Sequence, residues 1–463
     1  MGIFRAANAN KQEDKVMKLK QVVVLTALTA LASSTFADVQ NIRLSGDARL
    51  RGYYLVKAAG NEDEDQSKIS DSFISQRTRI SVEADLEDHV LVVVTLKAES
   101  LWGSDNEAVH NESGAGSAGF NGSVNRNWDL GLAEAYVQFN EIFYSPATLK
   151  LGRQYLHYGR GLIISSVEQE YNYDAARLVL DYYPLTLDFV YAKLAENTPF
   201  GPGTGARDTD LFFVNARYEF TDSLIKNIEG YFGYVANSTK AGGSSRVPPT
   251  SGAGDSPLLV GIRTDVNLTE NFELWAEGAY QFGSATAGEN ISAVLANIGG
   301  KFTLKDVNFV PVLNFNYIYA SGGGSDGQYA FRPWFDYVDG YNGHLFMPAL
   351  SNIHVFNLGA SIKPNENTTL SLQGYYYLQA DKGSGAGAGL RSNPNVDFGG
   401  LGFSPVDSSR ELGWEIDAIL GYDYSKDVRF QLVYAAFIPQ NAYDHFGSDS
   451  VAQLVRGEVN VRF

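Results

Sequence analysis

Val455-Arg456-Gly457-Glu458-Val459-Asn460-Val461-Arg462-Phe463 closes the chain with side chains that change character at every step. Successive side chains of an extended strand point to opposite faces. Val455, Gly457, Val459, Val461 and Phe463 therefore line one face, and Arg456, Glu458, Asn460 and Arg462 the other. A soluble sandwich would also alternate in this way, with its apolar face on a core. Here the period recurs along nearly the whole chain, and no long apolar run is present to close over it. That pattern suits a wall between lipid and water, so the expected fold is all-β, a single transmembrane antiparallel β-barrel.

The same reading extends back to the start of the mature chain. Asn41, Arg43, Ser45, Asp47, Arg49 and Arg51 alternate with Ile42, Leu44, Gly46, Ala48, Leu50 and Gly52. Ser75, Arg77, Arg79, Ser81, Glu83 and Asp85 alternate with Ile74, Thr78, Ile80, Val82, Ala84 and Leu86. A helical period would not sort these residues so cleanly. A third strand follows a tight turn at Asp88-His89, and others are expected near 130–140, 147–154, 174–183, 185–193, 209–220, 227–235, 258–266 and 272–282. Further strands are expected near 292–303, 308–320, 354–363, 368–378, 410–422, 428–437 and 451–463. The total is about 18, an even number as single-chain bacterial barrels require.

Short connections around Asp88, Pro184, 269–271, 305–306, 364–367 and 425–427 alternate with long ones, which puts all long loops on one rim. Short periplasmic turns, long extracellular loops and periplasmic termini follow. The long stretches include the acidic 61–65 and the Gly/Ser-rich 113–123, 241–256, 321–350 and 383–409. Ser321–Leu350 is a candidate to fold inward and gate the opening. Aromatic residues near strand ends (Trp102, Phe139, Tyr182, Tyr218, Phe220, Tyr280, Phe282, Tyr317, Tyr319, Trp414 and Tyr422) suit interfacial girdles.

Composition agrees with one large barrel in 463 residues, with 27 Tyr, 27 Phe, 47 Gly and no Cys. Without Cys there are no disulfides or thiolate metal sites. Acids outnumber bases 53 to 36, and the net charge of −17 argues against nucleic-acid binding. Lys18 and Lys20, the apolar run 22–32 and the small-residue site Thr35-Phe36-Ala37 read as a secretory signal peptide. Met17 stands just before it, so residues 1–37 are expected to be an extension plus a cleaved signal and 38–463 the barrel. The expected address is the bacterial outer membrane.

By this parity the inward face is expected to carry Arg43, Arg49, Arg51, Arg77, Arg79, Lys97, Lys150, Arg177, Arg217, Arg263, Lys301, Lys363, Arg429, Arg456 and Arg462. Acids such as Asp47, Glu83, Glu99, Glu134, Glu277, Glu415, Asp417 and Glu458 are interleaved. Arginine clusters in the first, second and last strands, which become neighbours on closure, while acids concentrate in the eleventh and sixteenth. A basic stripe in a constriction would concentrate anions. Mutual pairing of Arg with Glu or Asp is the other reading of the same residues, and both stay open.

Catalytic signals are weak. Gly323-Gly324-Ser325-Asp326-Gly327 has the letters of a nucleophile elbow but lies in a Gly-rich loop with no helix following. The six His are scattered, no P-loop is present, and Glu62–Asp65 lacks the Gly and terminal Glu of a calcium loop. No enzyme activity, cofactor or metal is expected.

Leu149-Lys150-Leu151-Gly152-Arg153-Gln154, Tyr158-Gly159-Arg160-Gly161-Leu162-Ile163 and Tyr173-Asp174-Ala175-Ala176-Arg177 resemble the signature of the alginate-export family of outer-membrane porins. The resemblance implies an 18-stranded monomer with an arginine-lined pore that passes a polyuronate, and it makes Arg153, Arg160 and Arg177 leading pore candidates. Two departures stand out. The interleaved acids dilute the basic lumen such export needs, and strict alternation puts Arg153 beside Leu149 and Leu151 unless a bulge at Gly152 turns it inward. The expected function is a passive channel exporting an anionic, alginate-like polysaccharide. A general or anion-selective porin for small solutes is the alternative, with a barrel enzyme or adhesin behind it. Expected partners are outer-membrane lipid and lipopolysaccharide, an anionic carbohydrate or small solute, and the barrel-assembly machinery.

Overall fold

The computed structural model describes residues 41–56, 70–103, 130–166, 172–195, 208–237, 256–284, 290–323, 328–334, 342–348, 350–382, 409–442 and 451–463. Eighteen strands run in chain order: β1 (Asn41–Val56), β2 (Ser70–Asp85), β3 (Val90–Leu101), β4 (Leu130–Phe139), β5 (Ala147–Gln154), β6 (Tyr173–Tyr182), β7 (Leu185–Ala195), β8 (Thr209–Glu219) and β9 (Ile225–Asn237). Then come β10 (Ser256–Thr269), β11 (Phe272–Ser284), β12 (Asn290–Thr303), β13 (Val312–Ala320), β14 (Ile353–Asn365), β15 (Thr368–Gln379), β16 (Glu411–Asp423), β17 (Val428–Pro439) and β18 (Ala452–Arg462). Each strand pairs with its sequence neighbours, and β18 returns to β1 with Asp47 opposite Arg462 and Val56 opposite Gln453. Closure leaves the sheet no edge, so backbone N–H and C=O groups are satisfied without water, as a bilayer demands. No helix among the described residues is long and apolar enough to cross a membrane; the strands do the crossing.

Burial is inverted relative to a soluble protein. Leu358 is 71% exposed and Leu44 67%, whereas Arg456 is 2% and Arg77 4% exposed. Fatty acyl chains cover the outer leucines, and the wall and its contents cover the inner arginines. Tyr182, Tyr218, Phe220 and Tyr422 lie on the outer face toward the rim of the short turns; Trp102, Tyr280 and Trp414 lie on it toward the opposite rim.

The turns follow from local chemistry. Asp88 and His89 both take positive φ (57° and 60°), which matches the twist of a tight hairpin. β13 starts at Val312 rather than near residue 308, because Phe309 (φ 68°) and Val310 (φ 43°) belong to a left-handed turn that an extended strand excludes.

Among the described residues, two segments fold into the barrel and supply its core. Leu156, Leu162, Ile163 and Ile164 follow β5; Phe331, Trp334, Leu345, Phe346 and Leu350 lie between β13 and β14. Both pack on inward aromatics of the wall, including Phe213, Tyr377 and Phe437. The described parts of 321–350 thus lie inside the barrel. The signal-peptide reading of 1–37, the acidic 61–65, the stretch 113–123 and most of 241–256 and 383–409 lie outside the described residues.

Candidate pore wall and constriction

Closure makes β2, β1 and β18 adjacent, and their register stacks the arginines. Tyr53 stands opposite Phe73 and Arg456, Arg51 opposite Ser75 and Glu458, Arg49 opposite Arg77 and Asn460, and Asp47 opposite Arg79 and Arg462. Levels two residues apart are about 7 Å apart along a strand, so guanidinium groups recur at four successive levels of one wall. A cavity of about 800 Å³ opens on this wall, lined by Arg49, Arg51, Arg77, Arg79, Arg429 and Arg462 against Asp47, Glu83, Glu134 and Glu458. Positive groups are in excess there.

The wall is also internally paired. Asp47 takes Arg79 at 2.5 Å and Arg77 at 3.4 Å, Arg49 meets Glu99 at 3.4 Å, and Arg51 meets Glu458 at 2.6 Å. Lys97 reaches Glu99 at 3.4 Å, and Arg456 donates to Gln431. A basic stripe and mutual pairing thus occur on the same wall. What pairing does not account for is the register itself: Arg49 faces Arg77 directly, and Arg79 faces Lys97. Like charges directly opposed across strands are destabilising, and interleaved acids or a bound anion must offset them.

Near the rim of the short turns the pairs are more open. Arg43 bridges Glu83 and Asp85 at 2.9 Å, Arg429 meets Asp423 at 2.6 Å and Arg217 meets Glu219 at 3.2 Å. Exposed pairs of this kind contribute little stability.

The segment after β5 turns into the lumen because Gly159 (φ 60°) and Gly161 (φ 75°) adopt left-handed backbone that L side chains resist. Tyr158 bridges Ile164 to close the turn. Gly159 N–H then donates to Glu229 at 3.1 Å and Arg160 N–H to Glu277 at 3.0 Å, while Arg263 donates to Gly159 O at 3.1 Å and pairs with Glu229 and Asp265. Tyr158 Oη donates to Asp188 at 2.8 Å, and Arg177 holds the same carboxylate at 2.6 Å. Arg160 leaves the turn with its guanidinium 3.9 Å from the Trp275 ring. His157, off the strands and against Ser165, keeps part of its ring exposed, and the partial desolvation of the rest together with the Arg263 charge holds it below the ordinary imidazole range.

The second inward segment is fastened by the same device. Glu415 accepts from the N–H groups of His344, Leu345 and Phe346 at 2.7–2.8 Å, and Gln281 exchanges two hydrogen bonds with the backbone of Arg332. Carboxylates on the wall thus pin both segments through charge-assisted bonds, which are stronger than neutral ones.

Among the residues expected to line the pore, Arg49, Arg51, Arg77, Arg79, Lys97 and Arg456 come together on one wall, with Arg429 and Arg462 toward its lower end. Arg160, Arg177 and Arg263 meet at the first inward segment. Lys150 lies on the inward face over the Tyr136 ring at 3.5 Å. Arg153 is corrected: it stays in unbroken register with Ala135 and Asp174, on the same outward face as Leu149 and Leu151. Gly152 does take a positive φ of 124°, but no register shift accompanies it. Arg153 forms a two-pronged pair with Asp174 at 2.7 and 2.8 Å at the outer rim instead. Asp188, Glu229 and Trp275 escaped the sequence reading; the alternation of β7, β9 and β11 carries them inward and contained the signal.

A closed 18-stranded antiparallel barrel with a charged lumen, an apolar exterior and inward-folded segments is a porin-type channel of the bacterial outer membrane. The chain belongs to the Alginate export family, whose model matches residues 56–455. No curated protein matches the sequence. Solved structures share the fold at low identity. Pseudomonas aeruginosa OpdQ has 12% identity and a TM-score of 0.54 over 92% of this chain and 99% of its own. Acinetobacter baumannii OccAB2 has 10% and 0.55 over 93% and 99%. Pseudomonas aeruginosa OccK2 (OpdF), solved in complex with glucuronate, has 11% and 0.52 over 92% and 99%.

Proposed function

We propose that this channel passes an anionic carbohydrate, an alginate-like polyuronate being the export substrate. The observation that carries the reading is the register of β2, β1 and β18, which stacks guanidinium groups at successive levels and sets Arg49 opposite Arg77. A carboxylate moving along this wall exchanges one arginine for the next, each contact shared with an interleaved acid and so too weak to trap it. Flow follows the concentration gradient, and selectivity is for anions. Arg160 acts at the constriction. Membership of the Alginate export family supports the polyuronate over other anions. Surrounding lipid, lipopolysaccharide and the assembly machinery that inserts the barrel complete the set of partners, and the unit is a monomer.

The second reading is a porin for small carboxylates. Two inward segments narrow the lumen, and the similar OccK2 barrel was solved with glucuronate, a single sugar acid. Planar-bilayer recording separates the two. Anion preference in the reversal potential, reduced when Arg49→Gln and Arg77→Gln are combined, is expected under both; block of the current by oligouronates that also cross the membrane is expected under the first alone. A cation-selective or unselective wild-type channel would overturn the assignment of the basic wall.

A further inference from the structure

The arc of wall formed by β12, β13, β14 and β15 has a different chemistry. Asn297, Asn314, Asn316, Asn357 and Gln373 stand on the inward face of these strands. They form two hydrogen-bonded sets. Asn297 donates to Asn316 Oδ1 at 2.7 Å, and Trp275 Nε1 donates to the same oxygen at 3.2 Å. Asn314 donates to Asn357 at 3.0 Å and to Gln373 at 3.2 Å, and Asn357 donates to Gln373 at 3.1 Å.

Two glycines shape this surface. A Cβ at Gly299 would collide with the Trp275 indole, and one at Gly359 with the Gln373 carboxamide. Glycine at each position is therefore the seat in which a large side chain lies along the wall rather than across the lumen. All but Asn297 are half-buried, so the amides stay in contact with the aqueous interior. The sets also leave hydrogen-bonding capacity over, since among the described residues Asn316 Nδ2 donates to no protein atom. A carboxamide both donates and accepts, as a sugar hydroxyl does.

We infer that this amide wall is a second subsite of the channel, which binds the hydroxyl groups of sugar rings while the arginine wall takes the carboxylates. The inference rests on the carbohydrate reading above and adds what distinguishes a saccharide from any other anion of equal charge. Trp275 serves as a positioning residue, since it bonds Asn316 and underlies Arg160.

The probe is a neutral oligosaccharide added to single channels in a planar bilayer, beside an oligouronate of equal length. Wild-type current is expected to be blocked by both. Asn357→Leu combined with Gln373→Leu keeps volume and removes the hydrogen bonds; block by the neutral probe is expected to weaken about fivefold to tenfold, as one or two lost bonds imply. If the leucine variant fails to assemble, as judged by heat-modifiable migration, Asn314→Ser with Asn357→Ser carries the same expectation. Neutral-probe block that is absent in wild type, or unchanged in the folded variants, overturns the amide subsite while anion selectivity and oligouronate block still uphold the carbohydrate reading. Loss of anion selectivity and of oligouronate block in the wild type overturns that reading itself.

Discussion

Arg153 and Arg177 show how one residue of difference in parity separates two fates. Both lie in the stretches whose sequence resembles the alginate-export signature, yet Arg177 turns inward to Asp188 and Arg153 outward to Asp174. Gly159 is an exacting position at the turn that carries Arg160. Its φ of 60° costs an L side chain about 1–2 kcal/mol, and a Cβ would stand 2.5 Å from Glu277 Oε1. Gly159→Ala is therefore expected to unseat the turn that carries Arg160, and single-channel recording checks it through a larger, noisier conductance. An unchanged trace would show that the turn does not narrow the pathway.

At the scale of the element, the two inward segments are held by wall carboxylates rather than by apolar packing alone. Replacing Glu277 with Gln removes the charge from the bonds that Arg160 N–H and Tyr231 Oη donate. Such charge-assisted bonds contribute about 1.5–3 kcal/mol, and faster proteolysis of the 155–166 segment in folded barrels is the expected readout. The same segment responds to pH through His157. Its imidazole is held below the ordinary value of 6.5, so the folded form binds the proton less readily than the undocked one. Docking is thus fully stable above pH 6.5 and weakens as pH falls below it. Conductance noise should rise on acidification toward pH 5, and His157→Phe should remove the dependence; a noise level flat with pH in the wild type would contradict the sign.

For the whole molecule, the decisive property is the separation of walls. The stacked guanidinium groups lie on β1, β2 and β18, the acids that pin the inward segments on β7, β9, β11 and β16, and the amides on β12 to β15. Neutralising Arg49 and Arg77 together should shift the reversal potential toward cations by several-fold in permeability ratio. Neutralising the exposed Arg43 and Arg217 should shift it less, because exposed charges paired at the rim are screened by water and salt. Equal shifts from the two pairs would mean that the wall has no special role.

Much of this was legible in the residues themselves. Alternation with period two reports sidedness, because a strand has only two faces, and the recurrence of that period with short and long connections by turns implied the closed barrel, its strand number and the rim of each loop. The clustering of arginine on the first, second and last strands was readable too, since closure must bring those strands together. What lay beyond the sequence was everything set by register and by chain that leaves the wall. Opposition of Arg49 to Arg77 depends on how far neighbouring strands slide, and the docking of Gly159 and Arg160 on Glu229 and Glu277 joins residues remote along the chain. Parity is a local property of one strand; partnership across a lumen is a property of the closed circuit, and only the tertiary structure decided it.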